Sequence, residues 1–170
     1  MPDVRAWRID KEKWASSSFS GAGAAVEGGR WNSAGVAVVY ASEHLAMAAQ
    51  EKYVHLPKPV PTTMKFVKFE LNFDSSLVTE VDRAALPADW QNAPLLATTQ
   101  SIGDAWVQSG KSAVLAVPSA IIPEEWNFLI NPTHPDFKKI SIRAPLPFAF
   151  DYRVARLVEP ASTPRPQSSS

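Results

Sequence analysis

The clearest period-two pattern in the chain lies at residues 64–73 (MKFVKFELNF), with Lys65, Lys68 and Glu70 set between apolar neighbours. It predicts a strand with one face in a core and the other toward solvent. A first strand is predicted at 4–9 (VRAWRI), where arginines separate valine, tryptophan and isoleucine. Residues 36–40 (VAVVY) are continuously apolar and rich in β-branched side chains, the pattern of a buried strand. Further short strands are predicted at 77–81, at 112–117 (stopped by Pro118), at 127–131 (ended by Pro132), at 139–143 and at 148–150.

Two stretches have helical spacing instead. After residue 40, Ser42 is placed as an N-cap and Glu43 in the first turn. The helix runs to Leu56, before Pro57 and Pro59. On its wheel Leu45, Ala48, Ala49, Tyr53 and Leu56 form one broad apolar face. Glu51 lies beyond the edge of that face, flanked by Met47, Val54, His44 and His55. A carboxylate beside apolar groups costs desolvation unless something pairs with it, which makes Glu51 a candidate site residue. The plain alternative is a rim glutamate paired with a lysine. The second helix is predicted at 94–109, with Gly110 as its C′ residue and Gly103 as a weak point inside it. Residues 10–20 read as a loop, and 82–92 as a turn with a helical fragment. Two main helices among seven or more short strands predict a single α+β domain. Its expected extent is 1–158, followed by a disordered polar tail at 159–170.

Composition narrows the chemistry. Lysine plus arginine equals aspartate plus glutamate, 17 each, in 170 residues. Zero formal charge argues against sequence-independent nucleic-acid binding, which needs a basic face. The chain has no cysteine, so disulfides, thiol catalysis and cysteine-based metal sites are excluded. No apolar run approaches the ~20 residues of a membrane span, and the N-terminus lacks a signal-peptide pattern. A cytoplasmic location is the expectation. GAGAAV at 21–26 imitates a dinucleotide-binding fingerprint, but Val26 stands where a small residue is wanted. Gly110-Lys111-Ser112 imitates the end of a phosphate loop, but Ala105 replaces the first glycine. The three histidines lack metal-ligand spacing, so no metal is expected. The six tryptophans are assigned to core packing. Gly21, Gly23, Gly28 and Gly29 crowd one segment, where they permit positive φ and close backbone approach.

GGRWN, then VVYAS, then an alanine-rich helix with Glu51, then VPSA, then NFLINPTHPDF, together resemble the RES domain family. The match covers residues 4–156. The family's arginine, glutamate and serine correspond to Arg30, Glu51 and Ser119, and its tyrosine to Tyr40. The resemblance implies a fold similar to ADP-ribosyltransferases, with a small split mixed sheet, flanking helices and a central cleft for NAD as substrate. It implies the toxin of a type II toxin–antitoxin system, one that depletes cellular NAD. It also implies a helix-turn-helix antitoxin that covers the cleft, and a homodimer within the complex.

Under that resemblance each residue has an expected task. Glu51 binds ribose hydroxyls and stabilises an oxocarbenium-like transition state. Arg30 binds the diphosphate with its fork of donors. Tyr40 walls in the nicotinamide ring. Ser119 positions substrate or Glu51, and Asn32 and Asn127 add polar contacts in the cleft. Three functions stay open: NAD cleavage with water or phosphate as acceptor, ADP-ribosyl transfer to a cellular target, and a non-catalytic binding module that has kept the fold.

Overall fold

Residue-by-residue antiparallel pairing of Val4–Lys11 with Phe66–Phe73 anchors the structure, a computed structural model that describes residues 1–92 and 97–156. In chain order its elements are β1 (Val4–Lys11), α1 (Ala22–Glu27), β2 (Val39–Ser42), α2 (Leu45–Val54), β3 (Phe66–Phe73), β4 (Val78–Glu80), α3 (Ala97–Ser109), β5 (Val114–Pro118), β6 (Trp126–Ile130), β7 (Ser141–Ile142), β8 (Leu146–Phe148) and α4 (Tyr152–Arg156). The expected tail at 159–170 and the expected helix start at Pro94 lie outside the described residues.

The fold is α+β. The strands form one mixed sheet in the order β4-β5-β6-β2-β1-β3-β7, with β8 also on β3. Only β4 and β5 run parallel among the described pairs. The sheet has a narrow seam. β1 meets β2 at one paired position, Trp7 opposite Ser42, whereas β1 and β3 pair along eight residues. The sheet is therefore two halves hinged at that seam, which is the split form expected.

Alternation along the strands sorts the side chains onto two faces. Ala6, Val39, Ala41, Leu71, Val114, Ala116, Phe128 and Ile130 share one apolar cluster. On the opposite face, α2 and the chain just past its end cover the β1–β3 half, packing Ala48 and Leu56 on Ile9 and Phe66. There α3 covers the β5–β6–β2 half, packing Trp106 near Leu115, Val117 and Leu129. Tyr40 and Ser42 of β2, with Asn127 of β6, lie on that helix-bearing face between the two.

Most element boundaries shift by a few residues from the sequence pattern, and those around β2 and β1 have clear physical reasons. Pairing with β6 runs from Val39–Ile130 to Ser42–Asn127, so β2 starts later than residue 36 and ends later than residue 40. The apolar run records burial there, and Val38 is buried without belonging to a strand. Ser42 is consequently a strand residue, and His44 occupies the N-cap of α2. The expected loop at 10–20 begins later, because β1 continues to Lys11 and a 3-10 turn follows at Glu12–Ser17. All of GAGAAV after Gly21 lies in α1, a six-residue helix capped by Gly21 at φ 73°. Of the tryptophans, Trp31 and Trp106 are core residues as expected, but Trp14 is exposed.

Gly103 explains its own presence in α3. A Cβ built there would sit 1.7 Å from the carbonyl oxygen of Trp31, a backbone atom with no room to yield. Glycine is what lets α3 lie directly on the turn that follows Gly28. Gly103→Ala is expected to cost about 3 kcal/mol, the upper part of the overpacking range. For a chain of this size that lowers the melting temperature by roughly 6–12 °C, readable by calorimetry. A variant melting with the wild type would show that α3 does not press on Trp31.

Candidate active site

The helix-bearing face carries two hydrogen-bonded groups that meet at β2. The first is built around Glu51. Helix α2 places Met47 and Glu51 one turn apart, on the stripe that points at the chain leaving β5. Glu51 Oε1 accepts from Ser119 Oγ at 2.8 Å and from Asn127 Nδ2 at 2.5 Å. Asn127 Oδ1 in turn accepts from Ser42 Oγ at 2.7 Å. The carboxamide of Asn127 is thereby oriented: its oxygen faces a hydroxyl and its nitrogen faces the carboxylate.

Ser119 is oriented just as firmly. It is 0% exposed, and its Oγ accepts the N–H groups of Ile121 and Ile122 at 3.1 and 3.2 Å. With both lone pairs taken, its proton goes to Glu51, with the Met47 sulfur 3.5 Å away as a weaker acceptor. Ser119 therefore positions Glu51. It is too buried to touch a substrate. Among the described residues Glu51 Oε2 accepts no hydrogen bond. One oxygen of the carboxylate is fixed and the other is open.

The second group holds Arg30. Gly29 and Asn32 bridge across a tight turn, with Gly28 at φ 72° leading in. The Tyr40 hydroxyl donates to Asn32 Oδ1 at 2.7 Å and accepts from the Trp31 N–H at 3.3 Å. Asn32 Nδ2 donates to the carbonyls of Ala24 and Val36, at 2.9 and 3.0 Å. A Cβ on Gly29 would come within 2.7 Å of the Tyr40 hydroxyl, so glycine is required for this closure. Helix α3 clamps the turn from its other side. Gln100 Nε2 donates to the Gly29 carbonyl at 3.0 Å, and Asp104 Oδ1 accepts from the Ser33 N–H at 2.9 Å.

Arg30 sits at the tip of that turn. Its Nη1 donates to the carbonyls of Trp90 and Asn92, at 2.7 and 3.1 Å. Among the described residues its Nε and Nη2 have no acceptor, and no carboxylate pairs with it. Carbonyls steer the guanidinium without neutralising it. That leaves a positive charge and half of the donor fork available to an anion. Burial pushes the Tyr40 phenol well above its ordinary pKa; the charges of Asp104 and Glu51 add to the shift, while the hydrogen bond from the Trp31 N–H and the charge of Arg30 oppose it. Tyr40 is accordingly a neutral hydrogen-bond donor at any physiological pH.

The structure thus brings Glu51, Ser119 and Asn127 into one contact group, and Arg30, Tyr40 and Asn32 into another. For Asn32 the expected polar contact in the cleft is corrected. It is 0% exposed and both ends of its amide are spent inside the chain, so it pins the turn. Asn127, at 8% exposure, orients Glu51. Sequence reasoning missed Ser42, Gln100, Asp104 and the task of Gly103. Period-two alternation in β2 carried the signal for Ser42, which shares a face with Tyr40. The 100-103-104 spacing on α3 carried it for the clamp, since those positions lie on one helix face. His44 pairs with Glu125 at 2.5 Å, and with Glu43 these are a group whose ligand atoms lie within 4.8 Å of one another. Both His44 and this pairing are on the surface.

Ser119→Ala is expected to strand two backbone N–H groups and free Glu51 Oε1 from one donor. The cost in stability is about 1–3 kcal/mol, and turnover falls about tenfold. Denaturant unfolding together with a rate assay separates the two effects. An unchanged rate would show that Asn127 alone suffices to hold Glu51.

The family model of the RES domain matches residues 5–151. The chain belongs to the RES domain family. A relative from Sphingobium sp., named Prs ADP-ribosylating toxin, is 41% identical over 154 residues, covering 88% of this chain and 96% of that one. Toxin Res of Yersinia enterocolitica is 36% identical over 149 residues, covering 87% and 97%. Toxin Res of Photorhabdus laumondii is 35% identical over 152 residues, covering 88% and 96%. In fold, this RES domain is similar to a chain of the crystal structure of the M. tuberculosis MbcT–MbcA toxin–antitoxin complex. The TM-score is 0.61 with 16% identity, over 85% of this chain and 84% of that one. Among the described residues no helix of the RES domain is long and apolar enough to cross a membrane.

Proposed function

We propose that this RES domain is the toxin of a toxin–antitoxin pair and that it breaks the bond between nicotinamide and ribose in NAD. The observation that carries the reading is the half-fixed carboxylate. Glu51 has one oxygen locked by Ser119 and Asn127 and the other open, on the face of the sheet that also holds the uncompensated Arg30.

That arrangement suits the chemistry. Nicotinamide in NAD is a pyridinium and departs as a neutral molecule, so no proton has to be delivered to it. Positive charge builds on the ribose as the bond lengthens. A carboxylate held in advance stabilises that charge without reorganising. Arg30 binds the diphosphate, an oxyanion that matches its free donors. Tyr40 borders the space between them, its hydroxyl committed to the Arg30 turn.

The acceptor of the ADP-ribosyl group divides the reading in two. Water or phosphate as acceptor makes the protein an NAD-depleting toxin. A protein acceptor makes it an ADP-ribosyltransferase, and one relative's printed name, Prs ADP-ribosylating toxin, favours this second form. We place the depleting form first, because it asks nothing of the site beyond the groups already described. The family resemblance further supports a helix-turn-helix antitoxin lying over the cleft, with the toxin as a homodimer in that complex.

Controlled expression in a bacterial host tests the reading. Growth arrest with a fall in total NAD is the expected result. Growth arrest at constant NAD, with one labelled protein band when a cell extract is incubated with the protein and NAD radiolabelled in its adenylate phosphate, would select the transferase form. Normal growth with unchanged NAD would favour a binding module.

A further inference from the structure

Behind the site, Arg8 has every guanidinium nitrogen engaged. Its Nε donates to Ser18 Oγ at 2.8 Å, its Nη2 to Asp10 Oδ2 at 2.8 Å and its Nη1 to the Tyr40 carbonyl at 2.9 Å. Asp10 is itself crowded with donors. It also accepts from Ser18 Oγ at 2.9 Å, from the Lys11 N–H at 2.8 Å and from Lys52 Nζ at 3.2 Å. Lys52 is the neighbour of Glu51 on α2. A continuous chain of charge-assisted hydrogen bonds therefore runs from the backbone of Tyr40 through Arg8, Asp10 and Lys52 to the helix turn that carries Glu51.

Its place in the fold gives that chain a task. Arg8 and Asp10 project from β1 just past the seam, where β1 and β2 have stopped pairing beyond Trp7 and Ser42. The Tyr40 carbonyl takes its hydrogen bond there from a guanidinium instead of a strand. Burial works against charge at Asp10, yet the positive charges of Arg8 and Lys52 and the donors around it hold its carboxyl below the usual carboxylate range. Arg8 also lies over the Phe19 ring, 6.0 Å from its centroid, and Phe19 packs edge-on against Phe69. The network is thus rigid at its base and tied at both ends to elements of the site.

We infer that Arg8 is a positioning residue which fixes the distance between Tyr40 on β2 and Glu51 on α2, and that it governs turnover more than NAD affinity. Resting on the proposed function, the inference adds a residue that makes no contact with substrate. The split between rate and affinity follows from what the network touches. The Arg30 turn is held by α3, by the Trp90 and Asn92 carbonyls and by the Tyr40 hydroxyl, and of these Arg8 touches only the Tyr40 backbone, so the turn keeps its other holds when Arg8 is changed. The carboxylate, by contrast, moves with α2. A shift of a catalytic group by about 1 Å is enough to cost roughly a hundredfold in rate.

The test compares the purified full chain with Arg8→Lys and Lys52→Gln. Lysine keeps the charge of Arg8 but puts one ammonium where three separate directions are needed. Arg8→Lys is expected to lower kcat by about 10- to 100-fold with KM for NAD within threefold of wild type. Lys52→Gln, a milder change at a partly exposed position, lowers kcat about fivefold. The double variant falls short of the product of the two, because both interrupt one network. Rates are taken per folded molecule, with hydrogen exchange of β2 and α2 amides measured alongside. Faster exchange confined to those two elements is expected in Arg8→Lys. A wild-type kcat, a rise in KM alone, or activity that merely tracks the folded fraction would overturn the inference. If wild-type protein turns over no NAD, the proposed function fails. The exchange data then decide Arg8 alone: unchanged protection of β2 and α2 would overturn its positioning role too.

Discussion

Glu51→Gln is expected to lower NAD turnover by about a thousandfold and to abolish toxicity, while the protein melts within a few degrees of wild type. The size follows from charge. A carboxylate oxygen about 4 Å from a unit positive charge contributes ~4 kcal/mol at the effective dielectric near a protein surface. Lost from the transition state, that is about three powers of ten in rate. Stability is spared for a geometric reason. Glutamine keeps the volume and one carbonyl oxygen, so the donors of Ser119 and Asn127 retain an acceptor where Oε1 stood. Rates from purified protein and a thermal melt of the same sample check both halves. A fully active Glu51→Gln protein would remove the carboxylate from the mechanism.

Arg30→Lys is expected to act on the other side of the kinetics. Lysine can answer the Trp90 and Asn92 carbonyls or an incoming phosphate, but it lacks a planar fork that serves both. Bonds from an ionised donor to an ionised acceptor contribute about 1.5–3 kcal/mol each. Losing one lowers kcat/KM roughly 10- to 100-fold, mostly through KM, because the diphosphate does not change charge during the reaction. Titration with NAD and initial rates would show it. Wild-type KM in Arg30→Lys would mean that the arginine only closes the turn against residues 90–92. Set beside Arg8→Lys, the two lysine variants have opposite expected signatures, one in KM and one in kcat.

Much of the candidate site's geometry was legible in the chain because its parts are local motifs. The glycine pair before Arg30 announced a tight turn, and the turn is there. The helical wheel put Met47 beside Glu51, and Ser119 Oγ touches both. The period-two run at 64–73 became β3, shortened by two residues at its start. What stayed hidden depends on partners far apart in sequence. Ser119 and Glu51 are 68 residues apart, and Arg30 and the Trp90 carbonyl are 60 apart. No local pattern reports such a meeting. The pattern also misled where a polar residue was internal. Arg8 and Asp10 have the look of a solvent-facing strand edge and loop, yet Asp10 is 7% exposed and both belong to β1. Asn32 has the chemistry of a ligand contact, but its buried amide serves the fold. Gly103 counts against a helix by propensity, and close packing on Trp31 overrides that small cost.

The central claim is that the site around Glu51 and Arg30 cleaves NAD between nicotinamide and ribose. Its most direct test is product analysis: incubate purified, partner-free protein with NAD, with and without phosphate, and resolve the products by mass. Free nicotinamide is the predicted result, together with ADP-ribose in buffer or ADP-ribose 1″-phosphate when phosphate is the acceptor. NAD that stays intact under both conditions, and also after a cell extract is added as a source of acceptors, would contradict the account.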